Sequence, residues 1–270
     1  MTTALILSAG QGSRLAPHTN ETPKCLLEFH GRSLLEWQID ALADVGVERV
    51  CVVVGYRADK VAARIARRTD PRVAVELLHN PFFRVAENIS SVWLAREYLR
   101  NDPALLLNGD TLVPPPLIAQ AIDGARHPVN VTVDIKSSYD DDDMKVTLQD
   151  GLVTDISKKL PPSQTDAESI GLLVFKGNGG ALFGRTLSEM IEAENGIASY
   201  YLAAVARLAA AGQVGATSIA GHRWAEVDFP ADLDRAASLT RRWTSQRWAQ
   251  GAGSVVSLSA ARKSATSAAL

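Results

Sequence analysis

The sequence predicts an α/β fold: a mostly parallel sheet with helices on both faces, extended by a mixed β-hairpin part. Three observations predict it. Short β-type runs alternate with helical patterns through the first half of the 270 residues. Some of those runs, such as Val50 to Val54, are continuously apolar, as strands buried on both faces are. Farther on, Asp150-Gly151 separates two strand-like runs, a hairpin signal.

The elements follow in order. Ala4 to Leu7 is an apolar strand ending in a glycine-rich segment, and Leu34 to Val45 carries Leu35, Ile39 and Leu42 at helical spacing. Val50 to Val54 is the next strand, Val61 and Ile65 mark a helix, and Val73 to Leu78 is a strand. Ile89 to Leu99 reads as a helix and Ala104 to Leu107 as a buried strand. This β-α-β-α rhythm builds a parallel sheet. The second half alternates instead: Val131, Val133 and Ile135 share one face, Met144 to Leu148 and Leu152 to Ile156 form the hairpin, and Ile170 to Phe175 is a further strand. Helices are expected at Leu182 to Ala193, at Tyr200 to Ala211, and from Pro230, which suits a first helical turn. One domain is expected over residues 1–245. The segment 246–270, rich in Ser, Ala and Gly from about Ala249, reads as a disordered tail or a linker.

Composition narrows the function. Apolar residues make up 46% and charged residues 21%, as in an ordinary globular protein. A net charge of -2 argues against nucleic-acid binding through bulk positive charge. Two cysteines, Cys25 and Cys51, are too few for a disulfide framework and fit a reducing, cytoplasmic setting. No apolar stretch approaches the ~20 residues of a membrane span, and no signal peptide is expected.

The first chemical signal is Leu7-Ser8-Ala9-Gly10-Gln11-Gly12-Ser13-Arg14-Leu15, directly after the first strand. Small residues let backbone N–H groups approach phosphates closely, and Arg14 adds a fork of donors for anionic oxygens. No Gly-Lys-Ser/Thr follows, so this is not a Walker A loop; no third glycine stands at the dinucleotide spacing. The segment continues through Pro17 to Thr22 into Pro23-Lys24-Cys25-Leu26-Leu27. The whole stretch resembles the signature of the nucleotidyltransferases that activate sugar phosphates and small phospho-alcohols. That resemblance implies a Rossmann-like nucleotidyltransferase fold over about residues 3 to 240. It implies that Ala9, Gly10, Gly12 and Ser13 cradle a triphosphate, that Arg14 binds departing pyrophosphate, and that Lys24 neutralises the reacting phosphates.

Asn108-Gly109-Asp110 ends a buried strand, the edge where open α/β sheets bind ligands. Asp228, in Trp224-Ala225-Glu226-Val227-Asp228-Phe229-Pro230, precedes a helix. A turn aspartate and a helix N-cap are the plain readings of these two. The resemblance implies instead that Asp110 and Asp228 hold Mg²⁺, for which hard carboxylate oxygens are suited, with Gly109 among the nucleotide-binding residues. Asp232 is read as capping or solvating the last helix.

The segment Asn88-Ile89-Ser90-Ser91 and the helix behind it resemble the cytidylyltransferase branch. There Asn88, Ser90 and Ser91 would contact the nucleotide, the serines through cytosine; a plain helix cap is the other reading. Tyr139-Asp140-Asp141-Asp142-Asp143-Met144-Lys145 is a dense acidic run, either a solvated loop or the seat of a cationic acceptor head group boxed by Tyr139, Tyr200, Tyr201 or Trp224. The resemblance places Tyr139, Asp142, Lys145, Lys158, Glu168 and Tyr200 at the acceptor. It implies transfer of CMP from CTP to a small phosphate or phosphonate, phosphocholine or 2-aminoethylphosphonate being favoured, with a homodimer as the assembly to test. A sugar-1-phosphate nucleotidylyltransferase using another NTP, and a non-catalytic nucleotide-binding subunit, are the alternatives.

Overall fold

The computed structural model describes residues 1–219 and 221–245; the expected tail, 246–270, lies outside the described residues. In chain order the strands are β1 (Thr3–Ser8), β2 (Glu28–Phe29), β3 (Arg32–Ser33), β4 (Arg49–Val54), β5 (Ala74–His79), β6 (Ala104–Asn108), β7 (Thr111–Leu112), β8 (Val129–Asp134), β9 (Lys145–Gln149), β10 (Leu152–Ser157), β11 (Ala167–Phe175), β12 (Val214–Ser218) and β13 (Ala225–Glu226). The α-helices are α1 (Leu34–Asp44), α2 (Ala58–Ile65), α3 (Asn88–Leu94), α4 (Pro115–Gly124), α5 (Gly179–Ile191), α6 (Leu202–Ala209) and α7 (Pro230–Ser245).

Nine strands form one sheet in the order β5-β4-β1-β6-β11-β8-β12-β10-β9. Strands β5, β4, β1 and β6 are all parallel, as the early rhythm predicts. Strand β11 then runs antiparallel to β6, β8 and β9, so the parallel character belongs to the first half and the second is mixed. The β9–β10 hairpin turns at Asp150 and Gly151, whose φ angles of 53° and 81° are the left-handed pair a two-residue turn needs.

Alternation along the strands makes two cores. Leu5, Cys51, Val53, Leu106, Val131 and Leu173 face α3, α5 and α6. Ala4, Ile6, Val52, Leu105, Leu107 and Leu172 face α1, α2 and α4. Helix α1 starts with a capping box: Ser33 accepts the Glu36 N–H, and the Glu36 carboxylate accepts the Ser33 N–H at 2.8 Å. The expected helix over Ile89 to Leu99 divides, because after Leu94 the chain tightens into a 3-10 turn whose Tyr98 carbonyl accepts the Thr3 hydroxyl at 2.6 Å.

A third cluster decides the site. Leu15, Phe29, Leu34, Trp37, Leu112, Ala225, Val227, Ala236, Leu239 and Trp243 pack together. Through it α7 is pressed onto the segment that follows the first strand. Each large apolar side chain buried here contributes about 1.5–3 kcal/mol. The same packing brings residues near position 14 against residues near position 227.

Candidate active site

The segment after β1 leaves the sheet at its C-terminal edge. Gly12 has φ 75°, and a Cβ there would lie 2.8 Å from the Lys24 Cβ. Both facts demand glycine, since the Lys24 stem lies across this position. The Thr19 hydroxyl donates to the Gly12 carbonyl at 2.7 Å and closes the loop. Leu15, fully buried, anchors the 3-10 turn Ser13–Leu15, while the Arg14 side chain stays half exposed. A Cβ at Gly10 would meet nothing within 4 Å, so the loop is open to approach there. Lys24 begins a second 3-10 turn held by buried Cys25.

Asp110 stands between β6 and β7. Gly109 lets this chain pass under β1, because a Cβ would fall 2.1 Å from the Leu7 carbonyl oxygen. Buried Gln38 donates to the Asn108 carbonyl at 2.7 Å and the Thr111 carbonyl at 2.9 Å, clamping the turn from α1. Strand β13 pairs antiparallel with β7, and the Val227 N–H donates to the Asp110 carbonyl at 3.0 Å. Ala225 and Val227 are buried, so Glu226 and Asp228 project from the other side of the strand. Asp232 accepts the N–H groups of Asp228 at 3.0 Å and Phe229 at 2.8 Å, capping α7 as expected.

The charges converge. Lys24 Nζ lies 2.8 Å from Asp110 and 2.7 Å from Asp228. The second Asp228 oxygen holds Arg14 at 2.8 Å, and the Arg14 guanidinium lies 5.1 Å from the Phe229 ring centroid. Burial pushes the Lys24 ammonium down, but Asp110 and Asp228 more than reverse this and leave it raised. Oxygens of Asp110, Glu226 and Asp228 all lie within 4.8 Å of one another. The Glu226 residue is open to solvent on one side. Its carboxyl is nonetheless pushed up to about 8, first by the protein around it and then by Asp110 and Asp228. Three hard carboxylate oxygen donors at this spacing are a donor set that fits Mg²⁺.

A family profile described as the MobA-like NTP transferase domain matches residues 4–151, more than half of the chain. The chain belongs to this family. The 2-aminoethylphosphonate cytidylyltransferase of Lancefieldella rimae is 36% identical over 112 residues, 42% of this chain and 44% of that protein. The bifunctional IPC transferase and DIPP synthase of Aquifex aeolicus is 28% identical over 237 residues, 87% of this chain and 50% of that protein. The chain thus spans half the length of these relatives or less. Among solved structures, the inositol-1-phosphate CTP transferase from T. maritima superposes with a TM-score of 0.73 at 22% identity, covering 87% of this chain and 94% of that one. That likeness shows the shared fold. Among the described residues, no helix is long and apolar enough to cross a membrane.

In this MobA-like NTP transferase domain the remaining sequence candidates fall into two groups. Of those expected at the nucleotide, Asn88 accepts the Tyr201 N–H at 2.9 Å, tying α3 to the turn before α6. Ser90 and Ser91 are buried and both face Asn80, whose amide donates to them at 3.1 and 2.9 Å. Of those expected at the acceptor, Lys145 and Glu168 are buried opposite each other on β9 and β11, with Asp134 opposite Glu168 on β8. Lys145 Nζ donates to the Lys158 carbonyl at 3.0 Å, and the Lys158 ammonium pairs with Asp142 at 3.0 Å. Asp142 also lies 3.6 Å from Arg14, so this loop reaches the Arg14 side chain.

The acidic run does not stand as four free carboxylates. Asp140 closes a turn by accepting the N–H groups of Asp142 and Asp143, and Asp143 pairs with Lys136 at 2.8 Å. The Tyr139 ring lies 5.8 Å from Lys136 Nζ and its hydroxyl donates to the Asp166 carbonyl. Tyr200 is half exposed beside α3 and is not gathered with these residues. Buried Tyr201 reaches inward instead, its hydroxyl donating to the Asn108 side chain at 2.9 Å.

Sequence reading missed Glu226, Gln38, Asn80 and Lys136, and offered Tyr201 only as one side of a cation box. Glu226 had a signal: in Ala225-Glu226-Val227-Asp228 the acidic residues alternate with apolar ones, which puts both carboxylates on one side of a strand. Glu168 gives a pH prediction. Burial, then a hydrogen bond with Asp143, push its carboxyl up to about 7, while Lys136, 2.7 Å away, pulls it down. A raised carboxyl pKa means the folded state holds the proton longer, so this group costs stability as pH rises from its unfolded value through about 7. Glu168→Gln cannot titrate. Its melting temperature relative to wild type is therefore expected to improve between pH 5 and pH 8; a constant difference would refute the shift.

Proposed function

We propose that this protein is a Mg²⁺-dependent cytidylyltransferase that joins CMP from CTP to a small phosphorylated or phosphonate acceptor. The observation that carries the reading is the convergence of Arg14 and Lys24 with Asp110, Glu226 and Asp228 at one sheet edge. In this reading an acceptor oxygen attacks the α-phosphorus in line. The new P–O bond forms as the bond to the bridging oxygen breaks, and its electron pair leaves with pyrophosphate. A phosphate acceptor is already largely a dianion near neutral pH, its second pKa being about 6, so no general base is required. Catalysis is then positioning and charge neutralisation. Arg14, half exposed, takes the leaving pyrophosphate; Lys24 takes the oxygens around the α-phosphorus; the open loop at Gly10 and Gly12 offers backbone N–H groups. Asp110, Asp228 and Glu226 would hold the metal, which supplies Lewis-acid charge neutralisation to the phosphates.

For the acceptor, Asp134, Asp142, Asp143 and Glu168 stand with Lys136, Lys145 and Lys158, which nearly balances the charge there. What supports an acceptor carrying an ammonium, phosphocholine or 2-aminoethylphosphonate, over a neutral polyol or sugar phosphate is the similarity to the 2-aminoethylphosphonate cytidylyltransferase. The test is pyrophosphate release with CTP, UTP, ATP, GTP and dTTP against phosphocholine, 2-aminoethylphosphonate, inositol-1-phosphate and glucose-1-phosphate. CTP is expected to exceed every other nucleotide by at least ~10²-fold, and a chelator to silence the reaction. Fastest turnover with inositol-1-phosphate would retain the nucleotide assignment and overturn the acceptor. Equal use of UTP with glucose-1-phosphate would overturn both.

A further inference from the structure

A cavity of about 420 Å³ lies between the segment that leads into β13 and one side of α7. His222, Arg223 and Trp224 line it from that segment; Arg235, Ser238 and Arg242 line it from the helix, where their spacing places them on one side. None of Arg14, Lys24, Asp110, Glu226 and Asp228 is among the described residues that line it. Its volume suits a small metabolite.

The charge of this cavity is uncompensated. Among the described residues Asp134 is the only acidic member of its walls, and that carboxylate already accepts the Trp224 indole N–H at 2.8 Å. Arg223 and Arg235 are exposed and make no ion pair among the described residues. Elsewhere the fold pairs its arginines closely: Arg14, Arg64, Arg68 and Arg72 each meet two carboxylates. Residues 220 and 246–270, outside the described part, contain no Asp or Glu. No carboxylate side chain of this sequence is therefore left to neutralise Arg223 and Arg235, and the counter-charge comes from outside the chain. Both arginines sit on fixed supports. The His222 ring Nε2 meets the Gln120 side-chain oxygen at 2.9 Å, and the Gln120 amide donates to the Ser218 carbonyl at 2.7 Å, which ties the segment before β13 to α4 and β12. Ala236 and Leu239, buried in the third apolar cluster, hold α7 beside Arg235.

We propose that this cavity takes the phosphate group of a small phosphorylated molecule between Arg223 and Arg235. One guanidinium fork satisfies a carboxylate, whereas the three terminal oxygens of a phosphate monoester can meet two forks from two elements. Trp224 and Leu239 offer an apolar wall to the organic part of the molecule. Arg223 stands just before β13, which carries Glu226, and Arg235 lies in the helix whose first turn caps Asp228 through Asp232. A bound phosphate thus ties together the two elements that present those carboxylates. The inference does not depend on which reaction the active site runs.

Arginine side-chain Nε–H resonances, assigned by their loss in Arg223→Gln and Arg235→Gln, read the site one residue at a time. Titration of the full chain with glycerol 3-phosphate is expected to shift both resonances along one saturating curve. In either single variant the surviving resonance should report binding weakened at least ~10-fold. Arg241, exposed on α7 and not among the lining residues, is the control for screening by salt. Neither arginine holds an ion pair, so both variants are expected to melt like wild type. If the two resonances stay in place, or drift without saturating as Arg241 does, the cavity gathers adventitious ions only and the inference fails. Vesicles containing phosphatidic acid test a lipid as the source of the phosphate. Sedimentation of wild type with them, lost in Arg223→Gln/Arg235→Gln, would overturn the small molecule. Every one of these measurements is made without turnover, so their failure would leave the cytidylyltransferase assignment untouched.

Discussion

Asp228→Asn is expected to lower kcat by at least ~10³-fold while changing the KM for CTP by less than about threefold. Asp228 spans the site: one oxygen meets Lys24 at 2.7 Å, the other meets Arg14 at 2.8 Å. Asparagine keeps the shape and one carbonyl oxygen but removes the charge. Both cations then remain in place for the triphosphate, so nucleotide binding survives. What is lost is an anionic ligand at the point where charge is neutralised in the transition state. Asp110→Asn is expected to behave alike, because the two aspartates share the Lys24 ammonium. Asp141→Asn, in the exposed acidic turn, serves as the control and should match wild type. Steady-state rates at saturating Mg²⁺, with a thermal melt of each variant, decide the matter. Turnover within tenfold of wild type in folded Asp110→Asn and Asp228→Asn would remove these residues from the reaction.

Why those aspartates were legible while Glu226 was not is instructive. Asp110 and Arg14 belong to short segments tied to strand ends, and strand ends in a parallel sheet share one edge. Local pattern therefore already placed them together. Asp228 was found through a motif, and the contact that positions it, β13 on β7, joins residues more than a hundred positions apart through only two paired positions. Nothing in the period of either segment announces that pairing. The acidic run shows the opposite failure. Four adjacent aspartates look like free charge in a sequence, but Lys136, Lys158 and Arg14 come from three separate segments to meet them. The parallel strands and the hairpin were readable because their signals are local. The order of the mixed half was not, since β11 pairs with β6 and β8 as well as with β9 of the hairpin.

Lys24→Met is expected to abolish turnover, by ~10³-fold or more, and to make the stability of the protein depend on divalent cations. Lys24 is mostly buried, with a side-chain exposure of 15%, and touches two carboxylates exposed by 20% and 28%. Taking its charge away leaves Asp110, Glu226 and Asp228 within 4.8 Å of one another without the ammonium between them. Breaking a fully buried pair costs about 3–5 kcal/mol; with this much solvent contact about 1–2 kcal/mol is the fair expectation. For a domain of this size each kcal/mol lowers Tm by about 2–4 °C. A divalent cation can replace the missing charge, and binding to the folded state alone stabilises it. Addition of 10 mM Mg²⁺, roughly a saturating dose for a weak carboxylate site, should raise the Tm of Lys24→Met by several degrees more than that of wild type. The raised pKa of Lys24 sets the pH range of the comparison. Its stabilising charge is fully present below the unfolded value of 10.5 and is lost only as pH climbs through the higher folded value. The Lys24 charge is thus unchanged between pH 7 and pH 9, while the Glu226 carboxyl, pushed up to about 8, ionises across that range, so the Mg²⁺-dependent contrast is expected to be larger at pH 9 than at pH 7. If Mg²⁺ shifts both proteins equally, or if folded Lys24→Met still turns over, the lysine does not hold the carboxylates together and the electrostatic account of this site is wrong.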